Sequence, residues 1–256
     1  MKITTRDKEI ILTLYKQRFL KTGHIEKLFF KSYNRTARRL KELADEGYLK
    51  RIRFIRRAGA SADEFIYSVG KESISLIAGW TEDSVKNVKG IVLKKQPEGL
   101  SFYAHTLAIA DTMIMFSKIE GAKWWSELEW RNLIGNSSTP IPDGFVKFEE
   151  DGFVENYCVE VDLGTMRTAA FQRKLNRYVN YINDKDKNDF ENLTMLVFVE
   201  DEDRINFLKR ATKKTRKKTK EEERLMIGVL FTTFKRGIKG KVWESIHNNE
   251  KSPEFD

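Results

Sequence analysis

The run YCVEVDL at residues 157–163 places Glu160 and Asp162 two positions apart in an otherwise apolar stretch. An extended chain turns alternate side chains to opposite faces. Cys158, Glu160 and Asp162 then share one face, while Tyr157, Val159, Val161 and Leu163 share the other. Two adjacent carboxylates on so apolar a strand are partly desolvated and repel each other, and a metal ion or a lysine is the usual remedy.

The remaining chemistry-bearing residues narrow the choices. One cysteine, Cys158, excludes an internal disulfide, and three scattered histidines, His24, His105 and His247, form no Cys/His cluster with zinc spacing. A catalytic metal would therefore be held mainly by oxygen, which suits Mg²⁺ or Mn²⁺. No Gly-x-Ser-x-Gly elbow, placed Cys/His pair or Gly-rich phosphate loop is present.

Charge divides unevenly along the 256 residues. Residues 1–70 hold 17 Lys and Arg against 8 Asp and Glu, which accounts for the whole net charge of +9. The segment KRATKKTRKKTK at 209–220 adds 8 basic residues and no acid, so its surroundings are acidic. Two basic foci on an acidic background make an electrostatic footprint for a polyanion, because surface potential follows local charge. In the second focus Lys213, Lys214, Arg216, Lys217 and Lys218 are the candidate auxiliary DNA contacts, with a solvated lysine-rich face as the alternative.

Periodicity in the first 70 residues predicts three helices and a hairpin. TTRDKEIILTLYKQ carries a stripe at Ile10, Ile11, Leu14 and Tyr15, and KTGHIEKLFF one at Ile25, Leu28 and Phe29. In SYNRTARRLKELADEGYL, Ser32 is the expected cap, Tyr33, Ala37, Leu40, Leu43 and Ala44 the buried stripe, and Gly47 the stop. The opposite face carries Asn34, Arg35, Arg38 and Glu42, with Arg39 at its edge. LKRIRFIRR and FIYSVG then form a hairpin bearing Arg51, Arg53, Arg56 and Arg57. Helix, helix, helix, hairpin with a basic third helix resembles a winged-helix domain, in which Asn and Arg of the third helix read purine edges and phosphates. His24 is expected to pack or lie at the surface.

Residues 71–101 change character and read as a junction around Pro97 and Gly99. Beyond them the pattern predicts a helix at FYAHTLAIADTMIMFSKI, a strand at KWWSELEWR, a hairpin of FVKFEE and FVENYCVEVDL, a helix at TAAFQRKLNRYVNYIND, a strand at LTMLVFVE, a charged helix, and a last strand at RLMIGVLFTTF. This αβββαβ order with an αβ extension implies an α+β or α/β fold in which helices cover a mixed sheet. The expected divisions are a winged helix over 1–78, a linker over 79–101, a second domain over 102–245 and a tail over 246–256. His105 and Asp111 on the apolar helix are expected as satisfied core groups, and Trp124, Trp125 and Trp130 as core packing.

The element order, with PD followed by EVD, resembles the restriction-endonuclease-like PD-(D/E)xK fold. More narrowly, AHTLAIAD, WWSELEWR, IPDG, VEVDLGT and KLNRYVNY resemble the replication-relaxation family of plasmid and mobile-element proteins, which joins a winged helix to such a domain. The resemblance implies metal-binding positions at Asp143 and Glu160, with Glu127 on the first strand as a third candidate. Asp162 stands where an active nuclease of that fold usually has lysine. Lys174 falls on the sheet-facing flank of the following helix, whose apolar stripe is Phe171, Leu175, Tyr178, Val179 and Ile182. From there it can reach Glu160 or Asp162 and replace the missing charge. Asp143, Glu160, Asp162 and Glu127 are the candidate metal ligands, and three readings of the cluster stay open: a working Mg²⁺ or Mn²⁺ nuclease site using Asp143, Glu160 and Lys174, an inherited but inactive metal pocket, and a structural ion-pair network.

The resemblance and the charge pattern together imply a protein that binds double-stranded DNA, non-cleaving, in plasmid replication or in the relaxation that precedes mobilisation. A relaxase or replication initiator is the implied protein partner, and a homodimer is compatible. An Mg²⁺-dependent nickase and a transcription regulator with a C-terminal sensing or dimerisation domain are the alternatives. No apolar run reaches the roughly 18 residues that cross a bilayer, and MKITTRDKEI lacks a secretory pattern, so a cytoplasmic site of action is expected.

Overall fold

The structure, a computed structural model, describes residues 2–53, 64–94, 100–134, 140–150, 152–184, 193–218, 228–238 and 244–245. The chain divides into two compact units, Met1–Ile114 and Met115–Asp256. Each has its own sheet.

The first unit runs α1 (Thr5–Gln17), β1 (Leu20–Lys21), α2 (Thr22–Phe29), α3 (Tyr33–Asp45), β2 (Leu49–Ile52), β3 (Ile66–Val69), a 3-10 turn at Lys71–Ser73, α4 (Ile74–Thr81) and α5 (Val85–Val92). It ends within α6 (Leu100–Phe116). β1, β3 and β2 form an antiparallel sheet in that order. Local chemistry sets the ends of the helices. Thr4 caps α1 by accepting the Asp7 N–H on Oγ1, while the Asp7 carboxylate accepts the Thr4 N–H at 2.8 Å. α3 stops at Gly47, whose φ of +79° lets the Gly47 N–H reach the Ala44 carbonyl and the Tyr48 N–H reach the Leu43 carbonyl. Ile10, Ile11, Leu14, Ile25, Leu40 and Leu43 are fully buried between these helices.

The third helix buries a narrower stripe than its periodicity suggests. Thr36, Leu40 and Leu43 are buried, whereas Tyr33 is 43% exposed and Ala37 and Ala44 are half-buried. Ser32 occupies the N-cap position but makes no side-chain cap bond; its carbonyl accepts the Thr36 hydroxyl at 2.9 Å. The span read as a junction is helical in part. Ser84 caps α5 through the Asn87 N–H at 3.1 Å, and Val88 is fully buried.

The second unit holds β4 (Ala122–Ser126), α7 (Glu127–Ile134), β5 (Gly144–Glu150), β6 (Phe153–Asp162), α8 (Thr168–Asn183), β7 (Leu193–Val199), α9 (Glu202–Lys218), β8 (Gly228–Thr233) and β9 (Glu244–Ser245). The sheet order is β4-β5-β6-β7-β8-β9, parallel from β6 to β8 and antiparallel elsewhere. This is an α+β chain with a small antiparallel sheet and a mixed sheet. One face of the mixed sheet presents Phe145, Cys158, Met195, Val197, Val199, Val229 and Phe231 to Phe171, Leu175, Tyr178 and Val179 of α8 and to Ile205, Leu208 and Ala211 of α9. β7 is buried on both faces, as expected of a central parallel strand.

The strand expected over KWWSELEWR is half strand and half helix. Ser126 ends β4 and starts α7, because its N–H and hydroxyl both donate to Glu129 Oε2, at 3.0 and 2.9 Å, and its Oγ accepts the Glu129 N–H. That Ser-x-x-Glu box was readable in the sequence but lost to the β-favouring tryptophans beside it. Trp130 consequently lies on α7, buried, with its Nε1–H donating to the Pro140 carbonyl at 3.0 Å. Among the described residues no helix is long and apolar enough to cross a membrane.

Candidate nucleic-acid interface and carboxylate pocket

In the first unit, burial of Thr36, Leu40 and Leu43 turns Asn34, Arg35 and Arg38 outward, and all three are exposed. The positive charge is therefore carried on the N-terminal half of α3, where a helix can meet the edges of bases and the phosphates beside them. Arg51 and Arg53 at the end of β2 are exposed, their guanidinium carbons lying 4.4 and 5.6 Å from the centre of the Phe65 ring. Arg56 and Arg57 lie outside the described residues.

Arg39 behaves differently from its neighbours. Its Nε donates to Asp7 Oδ1 at 2.9 Å, one terminal nitrogen to Asp7 Oδ2 at 2.6 Å, and the other to Glu42 at 2.7 Å. Asp7 is 1% exposed. Burial pushes its carboxyl upward, but the bonds from Arg39 and Thr4 outweigh that and hold it below the usual range. At the edge of the basic face, Arg39 thus ties α3 to the first turn of α1.

A second polar pair joins α2 to α6. His24 packs completely buried and meets Asp111 Oδ1 at 3.0 Å; Asp111, expected in the core, has this partner but is half-exposed. Burial lowers the His24 pKa despite the neighbouring carboxylate.

In the second unit, β6 carries Glu160 and Asp162, each 2% exposed, on the face covered by α8 and α9. Each acid has its own cation. Glu160 Oε2 accepts a short ion-paired bond from the Lys174 ammonium of α8, and Oε1 accepts the Tyr178 hydroxyl at 2.6 Å. Asp162 Oδ2 accepts from Nε and a terminal nitrogen of Arg204 at 2.9 and 2.6 Å. Arg204 comes from the first turn of α9, and it also donates to the Met166 carbonyl, fastening the loop after β6.

Asp143 stands just before β5. Its N–H donates to the Val159 carbonyl at 3.0 Å and its Oδ2 accepts the Val161 N–H at 2.9 Å. It therefore lies against β6, close enough to Glu160 to oppose that acid's ionisation. Burial, reinforced by Asp143, drives Glu160 up to about 8 in spite of Lys174 and Tyr178. Burial also pulls Lys174 down, but Glu160 and Asp143 overcome it and hold the ammonium above its usual range. Cys158 and Tyr178, fully buried beside them, are both raised by burial.

The structure thus brings Asp143, Glu160, Lys174 and Tyr178 together. Glu127 departs from the expected place on a strand: it heads α7 and pairs with Arg131 at 2.8 Å. Asp162 is engaged by Arg204. Among the described residues no three His, Cys, Asp or Glu side chains gather to hold a metal ion. Both Glu160 oxygens are engaged by an ammonium and a phenol, Asp162 by Arg204 and Glu127 by Arg131.

Sequence reasoning did not find Arg204, which lies 42 residues from its partner. The only signal was its position in the first turn of a helix following a parallel strand, the end of a sheet where neighbouring loops converge. In the second basic focus Lys213 is an exposed residue of α9, and Lys214, Arg216, Lys217 and Lys218 continue that helix, their side chains outside the described set.

Comparison with known proteins gives one family: the model described as Replication-relaxation matches residues 12–197. No curated protein matches the chain. A structure of the restriction endonuclease FokI aligns at 14% identity and a TM-score of 0.35, and one of FokI bound to DNA at 14% and 0.32. Each alignment covers 91% of this chain but only 43% of FokI, so the chain spans less than half of that enzyme's length.

Proposed function

The chain belongs to the replication-relaxation family, and from that membership and the basic outer face of α3 we propose that it is a DNA-binding protein of a plasmid or other mobile element. In this reading the first unit is a winged helix that docks α3 on duplex DNA. The second unit is a restriction-endonuclease-like domain that adds contacts through α9, or docks a relaxase or replication initiator, without cutting the strand.

The observation that carries the reading is the division of labour on α3. Arg35 and Arg38 are exposed beside Asn34, while Arg39 at the helix edge is bound to a buried acid. An arginine that served only to hold the fold would look like Arg39. The proposed lack of cleavage rests on the carboxylate pocket, where Glu160 and Asp162 each already have a cation from a covering helix.

A mobility-shift titration tests the binding arm. The full chain is expected to retard a duplex from its own element's origin, with affinity falling steeply as salt rises. Arg35→Ala with Arg38→Ala should weaken binding and lower the log–log salt slope by about 2, roughly one for each phosphate no longer neutralised. If the unaltered chain retards no duplex at moderate salt, the reading fails. Supercoiled plasmid incubated with Mg²⁺ or Mn²⁺ should stay intact; nicking abolished by Glu160→Ala and by Lys174→Ala would replace the proposal with a metal-dependent endonuclease. Binding confined to a promoter operator would replace it with a transcription regulator.

A further inference from the structure

Tyr33 opens α3 and is 43% exposed, although helical spacing sets it on the same stripe as Leu40. The buried stripe begins only at Thr36, so the first turn of the helix stands clear of the core beneath it. Ala37, one turn on and on the same flank, is half-buried. Asn34, Arg35 and Arg38 are exposed on the adjoining face. On its other side Tyr33 approaches the sheet. Tyr67 of β3, 1% exposed, stands opposite Arg51 of β2 in the strand register. Burial raises the pKa of the Tyr67 phenol, side-chain bonds with Thr22 and Arg51 lower it, and Tyr33 lies near enough to raise it further. Tyr33 is thus at the corner where the first turn of α3 meets the sheet, with exposed arginines on its own helix and on the neighbouring strand.

We propose that Tyr33 reads a base pair, its ring covering the methyl group of a thymine in the major groove. The inference rests on the docking of α3 on duplex DNA and names what that docking selects. Residues at the start of a recognition helix face base edges. Those edges present hydrogen-bond donors and acceptors in the major groove, and the thymine methyl is the apolar exception. An aromatic ring laid on an amino or carbonyl edge strips it of water without pairing it, whereas a ring laid on a methyl removes apolar area from water. Asn34, Arg35 and Arg38 supply the polar contacts, which leaves Tyr33, continued by Ala37, as the surface able to distinguish a methyl. A tyrosine that only filled space beside the sheet would be buried as Tyr67 is.

Duplexes that the full chain selects from a random pool, and the same duplexes with every thymine replaced by uracil, are the probes. Uracil keeps each hydrogen-bonding group and lacks the methyl, so this arm needs no variant. The unaltered chain is expected to bind the thymine duplex about fourfold more tightly for each methyl covered. Tyr33→Phe should keep that preference, and Tyr33→Ala should bind the two duplexes equally. On a duplex of G·C pairs alone, Tyr33→Ala and the unaltered chain should bind alike, and the log–log salt slope should not change, since no phosphate contact is lost. Equal affinity of the unaltered chain for thymine and uracil duplexes would overturn the proposal, as would a preference that survives Tyr33→Ala. A matching loss by Tyr33→Ala on the G·C duplex would overturn it too, assigning Tyr33 to the fold or to the DNA backbone. Binding indifferent to the methyl leaves the docking of α3 intact and removes the role of Tyr33 alone; a chain that retards no duplex removes both.

Discussion

Two buried acids, one in each unit, meet a cation and end with opposite proton affinities. Asp7 of α1 is held below its usual range beside Arg39, whereas Glu160 of β6 is driven up to about 8 beside Lys174. The difference lies in the donors. Asp7 sits in the first turn of a helix and accepts from two guanidinium nitrogens as well as from the N–H and hydroxyl of Thr4. Glu160 is in mid-strand, where the backbone is committed to neighbouring strands. It receives one ammonium and one phenol while Asp143 repels it. A single cation does not by itself keep a buried carboxylate ionised; the count of donors and the nearest like charge decide.

The largest expected effect comes from removing Lys174. Lys174→Met leaves the Glu160 charge without its cation, and at pH 9 denaturant unfolding should show a loss of about 3–5 kcal/mol, the usual cost of breaking a buried pair. At pH 6 the loss should be smaller, since a protonated Glu160 needs no cation. Combining it with Glu160→Gln should restore most of the stability. Equal losses in the single and double variants would show that Lys174 acts through packing alone.

Asp7→Asn should cost about 2 kcal/mol, the scale of a charge-assisted bond removed from a buried acceptor. The pH responses sharpen the contrast. Because the folded pKa of Asp7 is depressed, the stability it contributes is complete above its unfolded value near 3.8 and is lost as pH falls through the folded value. Glu160 has the reverse sign. Between about 4.5 and 8 the folded state retains a proton that the unfolded state has released, so its contribution to stability falls as pH rises through that window. Glu160→Gln should remove that slope and Asp7→Asn should not. Stability curves measured at several pH values would decide.

The same contrast explains how far the sequence could be read. The outward face of α3 was legible because helical periodicity alone separates Arg35 and Arg38 from Leu40 and Leu43. Lys174 opposite Glu160 was legible as well, because a lysine on the apolar side of α8 has few places to go. The bond of Arg39 to Asp7 was not legible, because the two lie 32 residues apart on different helices and periodicity carries no information about pairing between elements. Arg204 escaped for the same reason. Glu127 was misplaced by a boundary error, since two tryptophans extended the apparent strand past Ser126.

The smallest expected effect concerns the exposed pair Lys41–Asp45, four residues apart on α3, whose side chains are 59% and 56% exposed. Its 2.5 Å separation is shorter than the 2.6 Å between Arg39 and Asp7. If distance governed the contribution, Lys41→Ala would cost as much as loss of the Arg39 pair. Solvent screening and the entropy of two long mobile side chains argue otherwise, and the loss should stay within about 0.5 kcal/mol. A double-mutant cycle on each pair separates the explanations. A coupling energy for Lys41–Asp45 as large as that for Arg39–Asp7 would mean that proximity rather than burial sets the strength of these ion pairs, and the distinction drawn between Arg39 and the exposed arginines of α3 would lose its physical basis.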